Sequence, residues 1–404
     1  MGVRRRSVRT VLSAFAVLLA TCAFPAAAVE AFGWKVVLRT RDAGSTWFYG
    51  FAAASPRSAW VLGERTGGQG RERPVVHHWD GERWRNTRLP VRPALREHRG
   101  SENGTRLSAS SDRNAWLVLP GAFTYEAKDD PACRRSHEIY EKNGLSRPSS
   151  LLRWDGSGWR IALTVEDAVI TSVVAAGEKE AWAFGEGLEG PIVLRYDGTK
   201  WSRQASPLQV GDAEGDGTGA WAVGESVATG QPGIWRFGGV RPRHIPFGGI
   251  HPESRRATEK KNGVWTFSSS LAVLDRGEVA VSGLVYVYRG CVIPEWAQVR
   301  ETPYQLRWNG GFWSRERRLG RNEVVSQASD GQGGRYAVKT WYSSPFDVSK
   351  VMHRTASGRW HDQKFPGMHA LAVFRVPGTR TVYAVGADPG RGGARMGLVA
   401  RFTP

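Results

Sequence analysis

Few residues in this sequence are typed and spaced for chemistry, and they are scattered. The sharpest group is an acidic run, Asp212-Ala213-Glu214-Gly215-Asp216-Gly217. On a strand, residues two apart share a face, so these carboxylates would line one side of it. Their spacing resembles the start of a calcium loop, but Val223 stands where such a loop needs its twelfth-position Glu. The run is a candidate contact for a cation or a cationic ligand, with a solvated strand end as the plainer reading; calcium is the one cofactor it leaves open. Arg289 and Trp296, in a long segment that also holds Cys291, are further candidate ligand contacts. Basic residues gather at Arg315, Arg317, Arg318 and Arg321, and at Arg255-Arg256 with Lys260-Lys261. They suit phosphate or a carboxylated glycan, and solvated loops explain them equally well. The nine His include no HExxH pair, and His77-His78 falls within a strand-like run. No GxSxG, P-loop or dinucleotide fingerprint occurs in a usable context, so no catalytic residue is assigned.

What positions these residues begins with compartment and bulk. The chain has 404 residues, 41% hydrophobic and 23% charged, the balance of a globular protein rather than a disordered one. Lys and Arg number 56 against 38 Asp and Glu, for a formal net charge of +18. Arg4, Arg5, Arg6 and Arg9 precede an apolar stretch, Val11 to Phe24, and then Ala26-Ala27-Ala28. This is the form of a signal peptide over residues 1–28, cut near Ala28 or Ala31, and the mature chain is expected to be secreted or held in the periplasm or cell envelope. Leu19-Ala20-Thr21-Cys22 fits a lipid-attachment box poorly, and Arg9 fits a twin-arginine signal poorly. Without the leader the net charge is +14, and its bias towards Arg reflects GC-rich coding as much as a selected surface. Nucleic acid is therefore not an expected partner. No later stretch is long and apolar enough for a transmembrane segment. Of the three Cys, Cys22 leaves with the leader, and Cys133 and Cys291 are expected to form a disulfide.

Two motifs alternate along the remainder. The first is a small residue, Trp and an apolar run: Ser58-Ala59-Trp60-Val61-Leu62-Gly63, Asn114-Ala115-Trp116-Leu117-Val118, Glu180-Ala181-Trp182-Ala183-Phe184-Gly185 and Gly219-Ala220-Trp221-Ala222-Val223-Gly224. Weaker copies at Val279-Ala280-Val281, Tyr336-Ala337-Val338 and Tyr383-Ala384-Val385 bring the number to seven. The second is an apolar run ending in an aromatic, a turn and a Trp, as in Trp79-Asp80-Gly81-Glu82-Arg83-Trp84, Trp154-Asp155-Gly156-Ser157-Gly158-Trp159, Tyr196-Asp197-Gly198-Thr199-Lys200-Trp201 and Trp308-Asn309-Gly310-Gly311-Phe312-Trp313. Asp-Gly and Asn-Gly predict tight type I′ hairpins. Each unit then reads as four strands, the innermost rich in Ala, Ser and Gly, with Trp filling the widening gaps further out. Most of the 18 Trp are thereby assigned to packing.

On these repeats the chain resembles the secreted bacterial β-propellers whose blades carry Ala-Trp-Ala-Val-Gly and Trp-Asp-Gly-x-x-Trp signatures. The resemblance covers about residues 32–404 and implies an all-β, single-domain, seven-bladed β-propeller, with units at about 46–90, 104–165, 167–207, 209–247, 262–319, 322–366 and 368–404 plus 32–40. The last unit lacks a fourth strand, and Gly33-Trp34-Lys35-Val36-Val37-Leu38 matches Gly158-Trp159-Arg160-Ile161-Ala162-Leu163. The first strand of the mature chain is therefore expected to complete the last blade, which removes exposed sheet edges. Thr40-Arg41-Asp42-Ala43-Gly44-Ser45-Thr46-Trp47 fits the Asp-box of sialidase-like propellers, which implies a structural turn in the outer part of a blade.

Propellers bind ligands on the loops at one mouth of their channel. Two enlarged loops, Pro120–Ser150 in the second unit and Leu284–Tyr304 in the fifth, should leave one face nearly opposite each other, bridged by Cys133–Cys291. The expected function is a monomeric, non-catalytic binding module for an envelope polymer, glycan or protein. The alternative is a glycan-active hydrolase or lyase at the funnel between those loops, since its carboxylates can come from distant blades.

Overall fold

The computed structural model describes residues 33–40, 44–67, 72–90, 106–129, 138–239, 241–248, 262–289, 300–316, 323–340, 349–365, 368–388 and 395–403. They form seven four-stranded antiparallel sheets arranged as a β-propeller. The first strand, β1 (Gly33–Arg39), belongs to the last sheet. Blade 1 is β2 (Ser45–Ser55), β3 (Ser58–Thr66), β4 (Glu72–Trp79) and β5 (Trp84–Thr87). Blade 2 begins with β6 (Leu107–Ser111) and β7 (Asn114–Leu119). A separate hairpin, β8 (Ala122–Asp129) and β9 (Glu138–Arg147), then intervenes before β10 (Ser149–Trp154) and β11 (Trp159–Val165) complete it. Blade 3 is β12 (Ala168–Gly177), β13 (Glu180–Gly187), β14 (Pro191–Tyr196) and β15 (Trp201–Gln204). Blade 4 is β16 (Leu208–Gly215), β17 (Ala220–Ser226), β18 (Pro232–Phe237) and β19 (Arg243–Pro246). Blade 5 is β20 (Asn262–Val273), β21 (Val279–Arg289), β22 (Arg300–Trp308) and β23 (Trp313–Arg315). Blade 6 is β24 (Glu323–Ser329), β25 (Arg335–Thr340), β26 (Lys350–Arg354) and β27 (Trp360–Asp362). Blade 7 is β28 (His369–Arg375), β29 (Val382–Asp388) and β30 (Met396–Thr403), completed by β1.

The expected closure is present. β1 runs antiparallel to β30, with Gly33 opposite Thr403 and Trp34 opposite Phe402. Trp34 packs edge-on against Phe365 and Tyr336 of blade 6, with ring centroids 4.9 and 5.7 Å away.

Small residues on the inner strands let the blades converge, and the wider gaps behind them form the core. Its larger hydrophobic clusters join two neighbours: Trp60 and Leu62 of blade 1 pack with Leu117, Trp154 and Trp159 of blade 2, and Trp221 and Val223 of blade 4 pack with Val281, Tyr304 and Trp313 of blade 5. The Gly that ends the Ala-Trp motif has a distinct cause. Gly224 faces a bulge between Val210 and Asp212, where an added Cβ would lie 1.9 Å from the Gln209 carbonyl oxygen. Gly386 stands in the same relation to His369, again at 1.9 Å. The bulge brings an inner-strand carbonyl so close that only hydrogen fits.

Two expectations are corrected. The Asp-Gly turns are four-residue loops rather than two-residue type I′ turns: Trp154 pairs with Trp159, and the Asp155 side chain accepts hydrogen bonds from the Ser157 and Gly158 amides at 2.9 and 3.0 Å. Asp serves here through its carboxylate, which caps the turn, with Gly156 supplying the positive φ. The Asp-box segment is not an outer-blade turn. It joins β1 to β2, from blade 7 to blade 1, where Thr40 Oγ1 accepts from the Gly397 amide at 2.9 Å and Ser45 Oγ accepts from the Arg395 amide at 3.1 Å. The closing strand claims the residues before the box, so its ends pin the ring junction instead.

Candidate functional site

The seven inner strands run in one direction around a central channel with a cavity volume of about 1540 Å³. They start at the face where one blade crosses to the next and end at the opposite face. Connections between second and third strands also lie on the crossover face. The β8–β9 hairpin of blade 2 and the facing ends of β21 and β22 in blade 5 therefore lie at one face, in blades nearly opposite each other.

At the crossover mouth, β2 departs from the small-residue rule and turns Trp47 and Tyr49 towards the channel. Tyr49 donates to Glu64 Oε1 at 3.2 Å, and the Arg106 guanidinium lies 5.4 Å from the Tyr49 ring centroid and 4.0 Å from Glu64 Oε1. Glu64 comes from β3, and Arg106 immediately precedes β6, so the group assembles only where blades 1 and 2 meet. Burial pushes the Tyr49 phenol above the ordinary tyrosine range; Arg106 pulls it down and Glu64 pushes it up. Glu72, Thr340 and Arg395 complete this rim.

Midway down, Asp212 and Glu214 project from alternate positions of β16, as their spacing predicts. Asp212 Oδ2 accepts from the Leu271 amide at 2.9 Å, and Glu214 Oε2 accepts from the Val273 amide at 2.6 Å. Both amides belong to β20 of the next blade. Serines do the same elsewhere: Ser108 Oγ accepts from the Ala175 amide at 2.9 Å, and Ser326 Oγ from the Val373 amide at 3.0 Å. The acids are long-armed versions of this inter-blade link. Burial, followed by the Asp212 and Asp216 charges, pushes the Glu214 carboxyl up to about 8, against the Val273 amide and the Arg375 charge, which pull it down.

The opposite mouth is closed around with ionic links. Arg375 of blade 7 reaches Asp275 Oδ1 of blade 5 at 2.6 Å and Ser329 Oγ of blade 6 at 3.1 Å. Asp275 Oδ2 also accepts from Ser329 Oγ at 3.2 Å, so one carboxylate and one guanidinium tie three blades.

The three predicted acids do not converge into one cation site. After Gly215 the chain turns, and Asp216 accepts from Trp221 Nε1 at 2.9 Å and from Arg236 Nη2 at 3.0 Å within its own blade. Among the described residues, no three His, Cys, Asp or Glu side chains are grouped to hold a metal ion. Arg289 ends β21 with its backbone opposite Asn262. Trp296, Cys133, Cys291 and the leader lie outside the described residues, as do Arg255, Arg256, Lys260, Lys261, Arg317, Arg318 and Arg321. His77 meets the edge of Phe48 at 5.6 Å and His78 stacks on Trp60 at 4.8 Å, so both serve packing. Tyr49, Glu64 and Arg106 were missed because no motif joins them. The available signal was an inner strand carrying aromatics two residues apart. Among the described residues, no helix is long and apolar enough to cross a membrane.

No known protein-family model matches the chain, and no curated protein matches it. Solved structures do. One of a polysaccharide lyase aligns over 86% of this chain and 88% of its own, with a TM-score of 0.52 and 10% identity. An ulvan lyase aligns over 89% and 95%, at 0.49 and 12%. The β-propeller domain of the trilobed protease from Pyrococcus furiosus aligns over 88% and 93%, at 0.47 and 9%. At such identities the likeness is one of fold.

Proposed function

We propose that the protein is a non-catalytic binding module that takes a glycan of the cell envelope or its surroundings at the crossover mouth. The carrying observation is the mouth itself. Trp47 offers an aromatic face next to Tyr49, which is held between Glu64 and Arg106, above a channel large enough for several sugar rings. Sugars are recognised by this pairing of aromatic platforms with fixed polar groups.

The enzyme reading is weaker on geometric grounds. Glycosidases need carboxylates on two sides of the scissile bond. Asp212 and Glu214 sit side by side on one wall, each accepting a backbone amide of β20. A lyase needs a base, and the Tyr49 phenol is held in its neutral form by burial. Polysaccharide lyases share the architecture, but the glycan preference rests on the mouth and not on that likeness.

The test is a glycan array with the exported chain, run beside reducing-end and unsaturated-product assays on every glycan retained. Retention without turnover is expected, with Trp47→Ala weakening it about tenfold, near 1.4 kcal/mol. Turnover of a retained glycan overturns the non-catalytic reading.

A further inference from the structure

The sign of the channel's charge runs against that of the whole chain. The sequence carries a net +18. With Glu214 protonated below about pH 8, the described channel lining still holds six charged carboxylates against three guanidinium groups, and no lysine. The excess is spread along the full depth: Glu72 at the crossover rim, Asp212 midway, Glu178 at the opposite end. Arg375 and Asp275 offset each other at 2.6 Å, as do Arg106 and Glu64 at 4.0 Å and Arg236 and Asp216 at 2.8 Å, so the surplus rests on Glu72, Glu178 and Asp212 against Arg395. A narrow, low-dielectric passage focuses such a field inward, attracting cations and opposing anions. A second feature points the same way. Trp47 stands opposite Glu64 across the β2–β3 pair and lines the same mouth as Glu72, and among the described residues no aromatic ring or guanidinium group packs on its indole. An indole face with carboxylates nearby suits an ammonium group.

We infer that the channel selects a glycan bearing free amino groups, a polymer of unacetylated amino sugars, and disfavours uronate or sulfated chains. Resting on the glycan reading above, this names the class of ligand. An ammonium on successive sugars would meet Trp47 and Glu72 at entry and Asp212 deeper in. The basic outer surface does not contribute, because the ligand is threaded into the channel rather than laid across the face.

Affinity is measured by tryptophan fluorescence and calorimetry at about pH 6, where alkyl amines are charged. The probes are oligomers of glucosamine, N-acetylglucosamine and galacturonate of equal length, with spermine as an amine without sugar. The glucosamine oligomer is expected to bind at least about tenfold tighter than its acetylated counterpart, with the gap narrowing as salt is raised. Glu72→Gln, at the rim, and Asp212→Asn should each narrow the gap. Glu72→Gln keeps the test valid if loss of the Asp212 link to Leu271 impairs folding. Equal affinity for the charged and acetylated oligomers, or tighter binding of galacturonate, overturns the amine inference and leaves the glycan reading intact. Spermine binding as tightly as the glucosamine oligomer also overturns it, because the sugar then contributes nothing. If none of the sugar oligomers binds, the glycan reading fails and the inference fails with it.

Discussion

At the residue scale, two carboxylates of opposite character show how surroundings set a charge. Hydrogen bonds from Ser157, backbone first and then side chain, and from the Gly158 amide hold the Asp155 carboxyl down to about 2. A carboxyl depressed when folded stabilises the fold above its unfolded value and loses that contribution as pH falls through the folded one. Carbon-detected NMR titration should find the Asp155 midpoint near 2, against about 3.9 for a free Asp; a midpoint near the free value would show that the turn is not capped. Glu214 behaves oppositely. Its carboxyl is pushed up to about 8, so the folded state holds a proton that the unfolded chain releases above about 4.3. Stability should therefore decline as pH rises between those values and level off above the upper one. Glu214→Gln removes that slope, which thermal melts of both proteins across this range would reveal; parallel curves would refute it. The sequence exposed the alternation of Asp212 and Glu214 but not their links to Leu271 and Val273, which belong to a strand about sixty residues further on.

At the scale of elements, the Ala-Trp and Trp-Asp-Gly motifs were legible because each blade repeats one solution to one problem, filling a wedge between twisted sheets. The mouth was not legible, since Tyr49, Glu64 and Arg106 become neighbours only when blade 2 packs on blade 1. A similar gap hides the ionic cluster between blades 5 and 6. Glu316, just after β23, accepts from Arg335 at 3.0 Å and forms an ion pair with Arg354 at 3.3 Å, with the Arg335 and Glu316 side chains 1% and 4% exposed. Burial pushes the Glu316 carboxyl up, but the Arg335 hydrogen bonds and the Arg335 and Arg354 charges outweigh it and hold it below the usual range. Glu316→Gln leaves two guanidinium groups without their counter-charge and should cost about 3–5 kcal/mol, the penalty for breaking a buried pair. Urea unfolding would measure it, and a loss under about 1 kcal/mol would mean that solvent reaches the cluster.

At the scale of the whole molecule, the ring is held shut by one strand from each end of the chain. Trp34 lies between blades 6 and 7, touching Tyr336, Phe365 and Phe402. Trp34→Ala should cost about 3 kcal/mol, in the range for large-to-small aromatic changes. A permuted chain that begins at Ser45 and carries β1 after Thr403 should keep the same near-ultraviolet circular dichroism but unfold at lower denaturant, because no strand then spans the seam. Equal midpoints would show that the seam contributes nothing. The pairing of Gly33 with Thr403 also has a meaning in time. Ribosomes deliver β1 first and its partner last, so every other blade can form while this strand waits unpaired. Contacts so distant in sequence form slowly, and an unpaired edge held open that long invites wrong partners. The seam that secures the finished ring is thus the step at which a nascent chain is most exposed to misassembly, and a chaperone that shields one strand would protect the whole molecule.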